Sequence, residues 1–286
     1  MASSGAVFPG LLDEIVPPPI GGDDTTNGGG DGGDGGGDGS GGSGGSGGGT
    51  NVDNVFIVDD PEGDSLTGTS ENDSIEGFSG PDTLFGGAGD DTIFGIEGID
   101  SLLGENGADI LFGNQGADRI FGGDGRDSVY GGKGNDSIDA GEFGEDADED
   151  NDENFLFGNL GNDTIIGRTG DDFLFGGQED DTIFGGAGDD CLSGDKGADT
   201  ITGGAGEDTF NFNASSGGPS ESDADLITDY LDGEDRIILI LASGVDFDVE
   251  PVEGGTAIRL DEGDNNNFLA IFQTDLSRGD IDVVTI

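Results

Sequence analysis

From Gly68 onward the chain repeats itself every nine residues, and no other feature limits its fold so tightly. Gly86-Gly87-Ala88-Gly89-Asp90-Asp91-Thr92-Ile93-Phe94 is the cleanest copy, and the same phase recurs at Gly122, Gly131, Gly176, Gly185 and Gly203. Regular copies start at residues 68 to 131 and 158 to 203, 14 in all, each with Gly first. The sixth position is Asp in every copy: Asp73, Asp82, Asp91, Asp100, Asp109, Asp118, Asp127, Asp136, Asp163, Asp172, Asp181, Asp190, Asp199 and Asp208. The eighth is always apolar, from Ile75 and Leu84 through to Ile201 and Phe210.

The chemistry follows from the spacing. Gly at the first position, and at the fourth in 12 of the 14 copies, permits backbone angles that a side chain opposes, so this stretch predicts a tight turn. The apolar eighth residue between two neighbours predicts a very short strand with one side chain inward. One nonapeptide is then a turn plus a strand, and two complete one loop of a stack of parallel strands. Asp residues 18 apart fall above one another, as Asp82, Asp100, Asp118 and Asp136 do, while Asp73, Asp91, Asp109 and Asp127 form a second column. Carboxylates stacked at about the 4.8 Å strand spacing repel one another unless a cation lies between them. Carboxylate and carbonyl oxygens, in a chain without His, suit calcium rather than zinc or copper.

Over residues 68–211 the repeat resembles the RTX (repeats-in-toxin) calcium-binding nonapeptide. The resemblance implies an all-β fold: a right-handed parallel β-roll with two nonapeptides per turn and calcium ions in rows between turns. It also implies that the sixth-position Asp residues and the carbonyls of the Gly-rich turns are the ligands. Asp64, 18 residues before Asp82, joins that set through a degenerate first repeat that includes Leu66. Counting intact like-column neighbours at a constant spacing of 18 predicts eleven inter-Asp sites. Without calcium a self-repelling, weakly apolar chain is expected to stay unfolded.

Sixty-four acids against eight bases leave a formal charge of −56, which argues against nucleic acid or an anionic membrane as partner. The longest plain aliphatic run, Ile237–Ala242, is far short of a transmembrane segment. No conventional signal peptide is expected, because the first basic residue is Arg119 and Pro9 interrupts the early apolar stretch. The lone Cys191 occupies a seventh position, where Thr or Ser is usual, and reads as a tolerated variant rather than a reactive thiol.

The domain organisation expected is a disordered tail and Gly-rich linker over 1–50, an N-terminal cap strand and degenerate repeat over 51–67, the calcium-binding roll over 68–211, and a β-rich C-terminal cap over 212–286. The array breaks once, at 140–157. This is two repeats long, so the spacing predicts that both columns continue, interrupted at one level by Glu145 and Asn154. Asp146 to Asp152 hints at an EF-hand loop, but Asn151 stands where Gly is wanted, and a solvated acidic bulge is the preferred reading. The cap resembles those that follow RTX rolls in type I secreted proteins, and Asp282-Val283-Val284-Thr285-Ile286 is similar to the acidic-then-apolar end of such substrates. Asp225 falls outside the array and is not expected among the ligands. Arg278-Gly279-Asp280 spells an adhesion tripeptide that chance explains.

Ninth positions are often aromatic: Phe85, Phe94, Phe112, Phe121, Tyr130, Phe157, Phe175 and Phe184. Next to an inward residue these point outward, predicting apolar ladders on both faces that either pack on themselves or serve self-association or a cell-surface partner. An enzyme is not expected, since every acid cluster is better explained by calcium binding. The favoured reading is a secreted or cell-surface calcium-binding protein, structural or adhesive, that leaves through a type I exporter. The alternative is a calcium-responsive binder acting through residues 1–20.

Overall fold

The computed structural model describes residues 54–57, 61–141, 153–214, 216–231, 233–262 and 265–285. The tail and linker expected over 1–50, the EF-hand-like stretch and Glu145 lie outside these residues.

From Asn54–Ile57 through Arg236–Leu241 consecutive strands alternate between two sheets, and each pairs in parallel with the strand after next. Among the described residues one sheet has 11 strands and opens with Asn54–Ile57, Asp73–Glu76 and Thr92–Glu97; the other has 12 and opens with Ser65–Thr67, Thr83–Ala88 and Ser101–Asn106. The register is the repeat itself. Ile75 lies beside Ile93, which lies beside Leu111, which lies beside Val129. The chain is a parallel β-roll, as the period of nine predicts.

The core is the column of eighth positions. Ile75, Leu84, Ile93, Leu102, Leu111, Ile120, Val129, Ile138, Leu156, Ile165, Leu174, Ile183 and Leu192 are all fully buried between the sheets. Burying each such side chain contributes about 1.5–3 kcal/mol. Turns between strands use left-handed backbone. Gly116 has φ +147°, and a Cβ there would stand 1.5 Å from the Gly98 carbonyl oxygen of the preceding turn. Any side chain would force the turns apart.

The break at 140–157 corrects the expectation of an unbroken spacing of 18. Ser137–Asp139 pairs with Thr164–Thr169, and Ser128–Lys133 pairs with Phe155–Leu160, both at an offset of 27. The pairing therefore resumes one nonapeptide later than a constant spacing of 18 requires. The physical reason lies in the apolar position. In the first half of the break the eighth residue is Ala147, between Asp146 and Asp148, which offers almost nothing to a narrow core, whereas the second half offers Leu156. Asp139 and Arg168 form a two-pronged ion pair beside the break, with Nε to Oδ1 at 2.5 Å and the terminal nitrogen to Oδ2 at 2.7 Å.

The ninth-position ladder exists on one face. Phe94, Phe112, Tyr130, Phe157 and Phe175 stack nearly parallel, with ring centroids 4.9–5.1 Å apart, and the ladder crosses the break without a gap. On the other face the same positions read Phe85, Leu103, Phe121, Asp139, Ile166 and Phe184, so the apolar ladder expected there is mixed aromatic and aliphatic and is interrupted at Asp139. The rings of the complete ladder pack on one another and are half-buried or, at Phe157, buried.

Beyond the array, Asp225–Ile227 and Arg236–Leu241 each add one more parallel strand. An antiparallel meander, Asp246–Val252, Gly255–Glu262 and Asn265–Phe272, then closes one sheet, and Ile281–Thr285 closes the other. Phe210, Tyr230 and Phe272 meet edge to face, with Phe212 also against Phe272, and plug the end of the apolar column. A stack of parallel strands needs such a plug, because its last rung otherwise exposes core and edge. Arg278 lies over the Phe247 ring, 4.0 Å from its centroid, and pairs with Asp246 at 2.6 Å. The tripeptide arginine is thus tied to its own domain.

Candidate metal centre

Each sixth-position Asp ends the turn that precedes a short strand, and its carboxylate points into the turn rather than into solvent. The N–H of one such Asp donates to Oδ1 of the Asp in the next turn of the roll. Asp73 to Asp91, Asp91 to Asp109, Asp82 to Asp100 and Asp100 to Asp118 are bonded in this way at 2.7–2.8 Å. Twelve such Asp-to-Asp bonds run through the array, from Asp64–Asp82 to Asp190–Asp208. One carboxylate oxygen is therefore structural, supporting the backbone of the preceding turn.

The other oxygen is where the chemistry lies. Oδ2 of Asp91, Asp100, Asp109, Asp118, Asp136, Asp163, Asp181, Asp190 and Asp199 is buried and accepts no hydrogen bond. Burying a charged oxygen without a partner is costly. The cost appears in the acidities. Burial, added to by neighbouring carboxylates and opposed by the backbone N–H bond, pushes Asp181 up to about 9 and Asp190 to about 8. Asp109 and Asp136 rise to about 7 for the same leading reason, and Asp91, Asp100, Asp118, Asp163 and Asp208 to about 6. A row of acids that resist ionisation is a row that a cation stabilises.

The turns also present carbonyl oxygens to these carboxylates. A Cβ on Gly104 would stand 2.3 Å from both Asp109 Oδ2 and the Gly122 carbonyl oxygen. A Cβ on Gly86 would meet Asp91 Oδ2 at 2.4 Å and the Gly104 oxygen at 2.6 Å. The missing side chain at the first position is what lets two oxygens approach one small cradle. Among the described residues no three His, Cys, Asp or Glu side chains stand at coordinating distance of one point. An ion held in the array would therefore draw much of its shell from backbone carbonyls. Calcium, which takes six to eight oxygens in a flexible shell, fits that donor set.

Comparison with known families matches these turns directly. The RTX calcium-binding nonapeptide repeat matches residues 60–93, 67–102, 94–129, 112–143, 150–183, 157–191 and 184–215, more than half the chain. The chain belongs to the RTX repeat family. It is built from calcium-binding repeats.

Among solved structures, the RTX array is similar to a subunit of the Azotobacter vinelandii mannuronan C5-epimerase, at 24% identity over 55% of this chain and 78% of that one, with a TM-score of 0.27. It is also similar to the extracellular lipase LipA from Serratia marcescens, at 17% identity over 78% of this chain, with a TM-score of 0.28. The chain spans 40% of that lipase. No curated protein matches the chain.

All fifteen sequence-predicted Asp residues lie in the two columns, with the column memberships after the break exchanged. Asp163, Asp181 and Asp199 continue the column of Asp136, and Asp172, Asp190 and Asp208 continue that of Asp127 by way of Asn154. Asn154 is thus the single substitution in one column, and the other column is uninterrupted Asp. The expectation that Glu145 and Asn154 block both columns at one level is corrected by this register.

Two positions that period counting missed extend the columns, and a third caps the last turn. The Asp199 N–H donates to Asp225 Oδ1 at 3.1 Å, and the Asp208 N–H to Asp235 Oδ1 at 3.1 Å. Asp229 receives the N–H groups of Gly203 and Gly204, both at 2.9 Å. Asp225-Leu-Ile227 and Asp235-Arg-Ile237 retain the Asp-x-aliphatic spelling of the repeat without its glycines, and that spelling was the available signal. Cys191 is an ordinary seventh-position residue: Asn211 donates to its sulfur at 3.1 Å, and burial pushes its thiol up.

Proposed function

We propose that this protein is an exported calcium-binding protein whose roll folds when it meets calcium outside the cell, with a structural or adhesive role rather than a catalytic one. The observation that carries this reading is the double column of buried carboxylates, each supporting the preceding turn through one oxygen and presenting the other to a cradle of turn carbonyls. Asp64, Asp73, Asp82 and Asp91 through Asp208 are the residues that would hold the ions. Bound calcium supplies positive charge between stacked turns, and the backbone that the same carboxylates support then becomes stable. Extracellular modules bind calcium at roughly 10⁻⁴ to 10⁻³ M, so cytosolic calcium would leave the chain unfolded and passable through a type I exporter. The C-terminal region 212–286 is where the export address is proposed. The acids of the array are occupied in supporting turns, which favours binding over catalysis. Among the described residues no helix is long and apolar enough to cross a membrane.

Far-ultraviolet circular dichroism in chelator and in millimolar calcium tests the proposal. A strand signal that appears cooperatively with calcium is expected. A full strand signal in excess chelator at neutral pH would sink it.

A further inference from the structure

We propose that the ion pair of Asp139 and Arg168 is a register lock: it selects the offset of 27 across the break and so fixes which face carries the aromatic side chains of the C-terminal block. Two registers compete at this point. In the observed one, Ser137–Asp139 lies beside Thr164–Thr169, so Asp139 and Arg168 share a sheet. At a constant spacing of 18, Asp139 would lie beside Phe157 instead, and Arg168 would fall in line with Gly132 in the opposite sheet. The two charges meet in the first register only.

Both residues stand where the repeat favours something else. Asp139 takes a ninth position between Phe121 and Ile166, with 7% of its surface exposed. A carboxylate set between apolar neighbours is costly without a partner. Arg168 takes a second position with φ +74°, and its register partner in the next strand is Gly186. Its guanidinium donates to both carboxylate oxygens, a planar fork that lysine lacks. The same side chain crosses Gly141, the last residue described before the break: a Cβ there would stand 2.6 Å from Arg168 Cδ. The arginine therefore covers the point where the chain leaves the stack. A buried ion pair adds little net stability over apolar residues, but separating its partners is strongly penalised. In the second register Asp139 would be left between Phe121 and Phe157 without its cation. The apolar column disfavours that register through Ala147, and the ion pair adds a penalty of charge.

The consequence is a choice of face. In the observed register Phe155, Phe157, Phe173 and Phe175 lie in the sheet of Phe94, Phe112 and Tyr130, and the rings stack across the break. In the second register all four would move to the other face.

Spin-label distances in the full chain test the lock, in millimolar calcium and with Cys191→Ser to remove the native thiol. One pair of labels sits at Ser128→Cys and Thr209→Cys, the other at Ser128→Cys and Thr200→Cys. All three are half-buried seventh positions. In the observed register residues 128 and 209 share one sheet, four strand spacings or about 20 Å apart, while residue 200 lies in the opposite sheet. The second register makes 128 and 200 the close pair. With Asp139 and Arg168 intact, each pair is expected to give a single distance, shorter for 128 and 209. Asp139→Leu combined with Arg168→Gly removes the lock and leaves residues that the repeat itself uses there, as at Leu103 and Gly186, so folding should survive. In that neutral variant a second population is expected, in which 128 and 200 are close. The exchanged pair, Asp139→Arg with Arg168→Asp, should return both to one distance, since Asp195 shows that an Asp accepts left-handed backbone. Unchanged single distances in the neutral variant, or two populations in the exchanged pair, would overturn the inference and leave the register to the aromatic ladder and the apolar column. Neither outcome depends on how many calcium ions the columns hold.

Discussion

Asp136 and Asp163 are direct neighbours in one carboxylate column although 27 residues separate them. The N–H of the first donates to Oδ1 of the second at 2.7 Å, the same contact that residues 18 apart make elsewhere. The roll therefore skips a nonapeptide and resumes on the correct sheet. Tyr130 stacks on Phe157 across the same gap at 5.0 Å, so the apolar face is continuous as well. Only the other column carries a mark of the break, at Asn154, which takes the N–H of Asp127 at 2.8 Å and donates its own to Asp172 at 2.8 Å.

Asn154→Asp should therefore lower the calcium midpoint of folding. The amide oxygen already fills the structural role of Oδ1, and what it lacks is the second, charged oxygen. Replacing Glu145, by contrast, should leave the midpoint unchanged, because Glu145 is not the column partner of Asp127. A calcium titration followed by circular dichroism distinguishes the two. A large shift with Glu145→Asp and none with Asn154→Asp would contradict the register seen here.

Most of this architecture is legible in the sequence, for a physical reason. In a roll with two strands per turn, local turn geometry and long-range pairing share one period, so Ile75, Ile93 and Leu111 announce both their burial and their neighbours. Legibility stops where the period stops being informative. An 18-residue break can be two stacked repeats or one repeat plus an excluded one, and period counting treats these alike. The apolar eighth position separates them: Leu156 is fully buried, whereas the sequence offers only Ala147 in the first half. Asp225 and Asp235 were hidden for the opposite reason. They keep the role of a sixth-position Asp while losing the glycines that identify one, and the strands that stack beyond them belong to the cap rather than to the repeat.

Removing a core side chain measures how strongly neighbouring turns depend on one another. Leu111→Ala should cost about 2–5 kcal/mol, the usual penalty for emptying a fully buried site. It should raise the calcium midpoint of both flanking turns, since each rung is stabilised mainly by its neighbours. Phe184→Ala, at an exposed ninth position on the other face, should change stability by much less. Equal penalties for the two would indicate that the apolar column is not the organising core.

Acidity should substitute in part for calcium. In chelator the folded carboxylates are weaker acids, their pKa raised from 3.8 to about 6 at Asp100, about 7 at Asp109 and about 9 at Asp181, chiefly by burial. The folded state thus binds more protons than the unfolded state between these values. The linkage relation then gives stability that is present below the unfolded value and lost as pH rises through the folded values. Calcium-free chain should show more strand signal near pH 5 than near pH 8. In calcium the dependence reverses, because the ion needs the carboxylates ionised, so the calcium midpoint should climb as pH falls. Strand signal in chelator that increases from pH 5 to pH 8 would mean that the buried columns are not what limits folding without the ion.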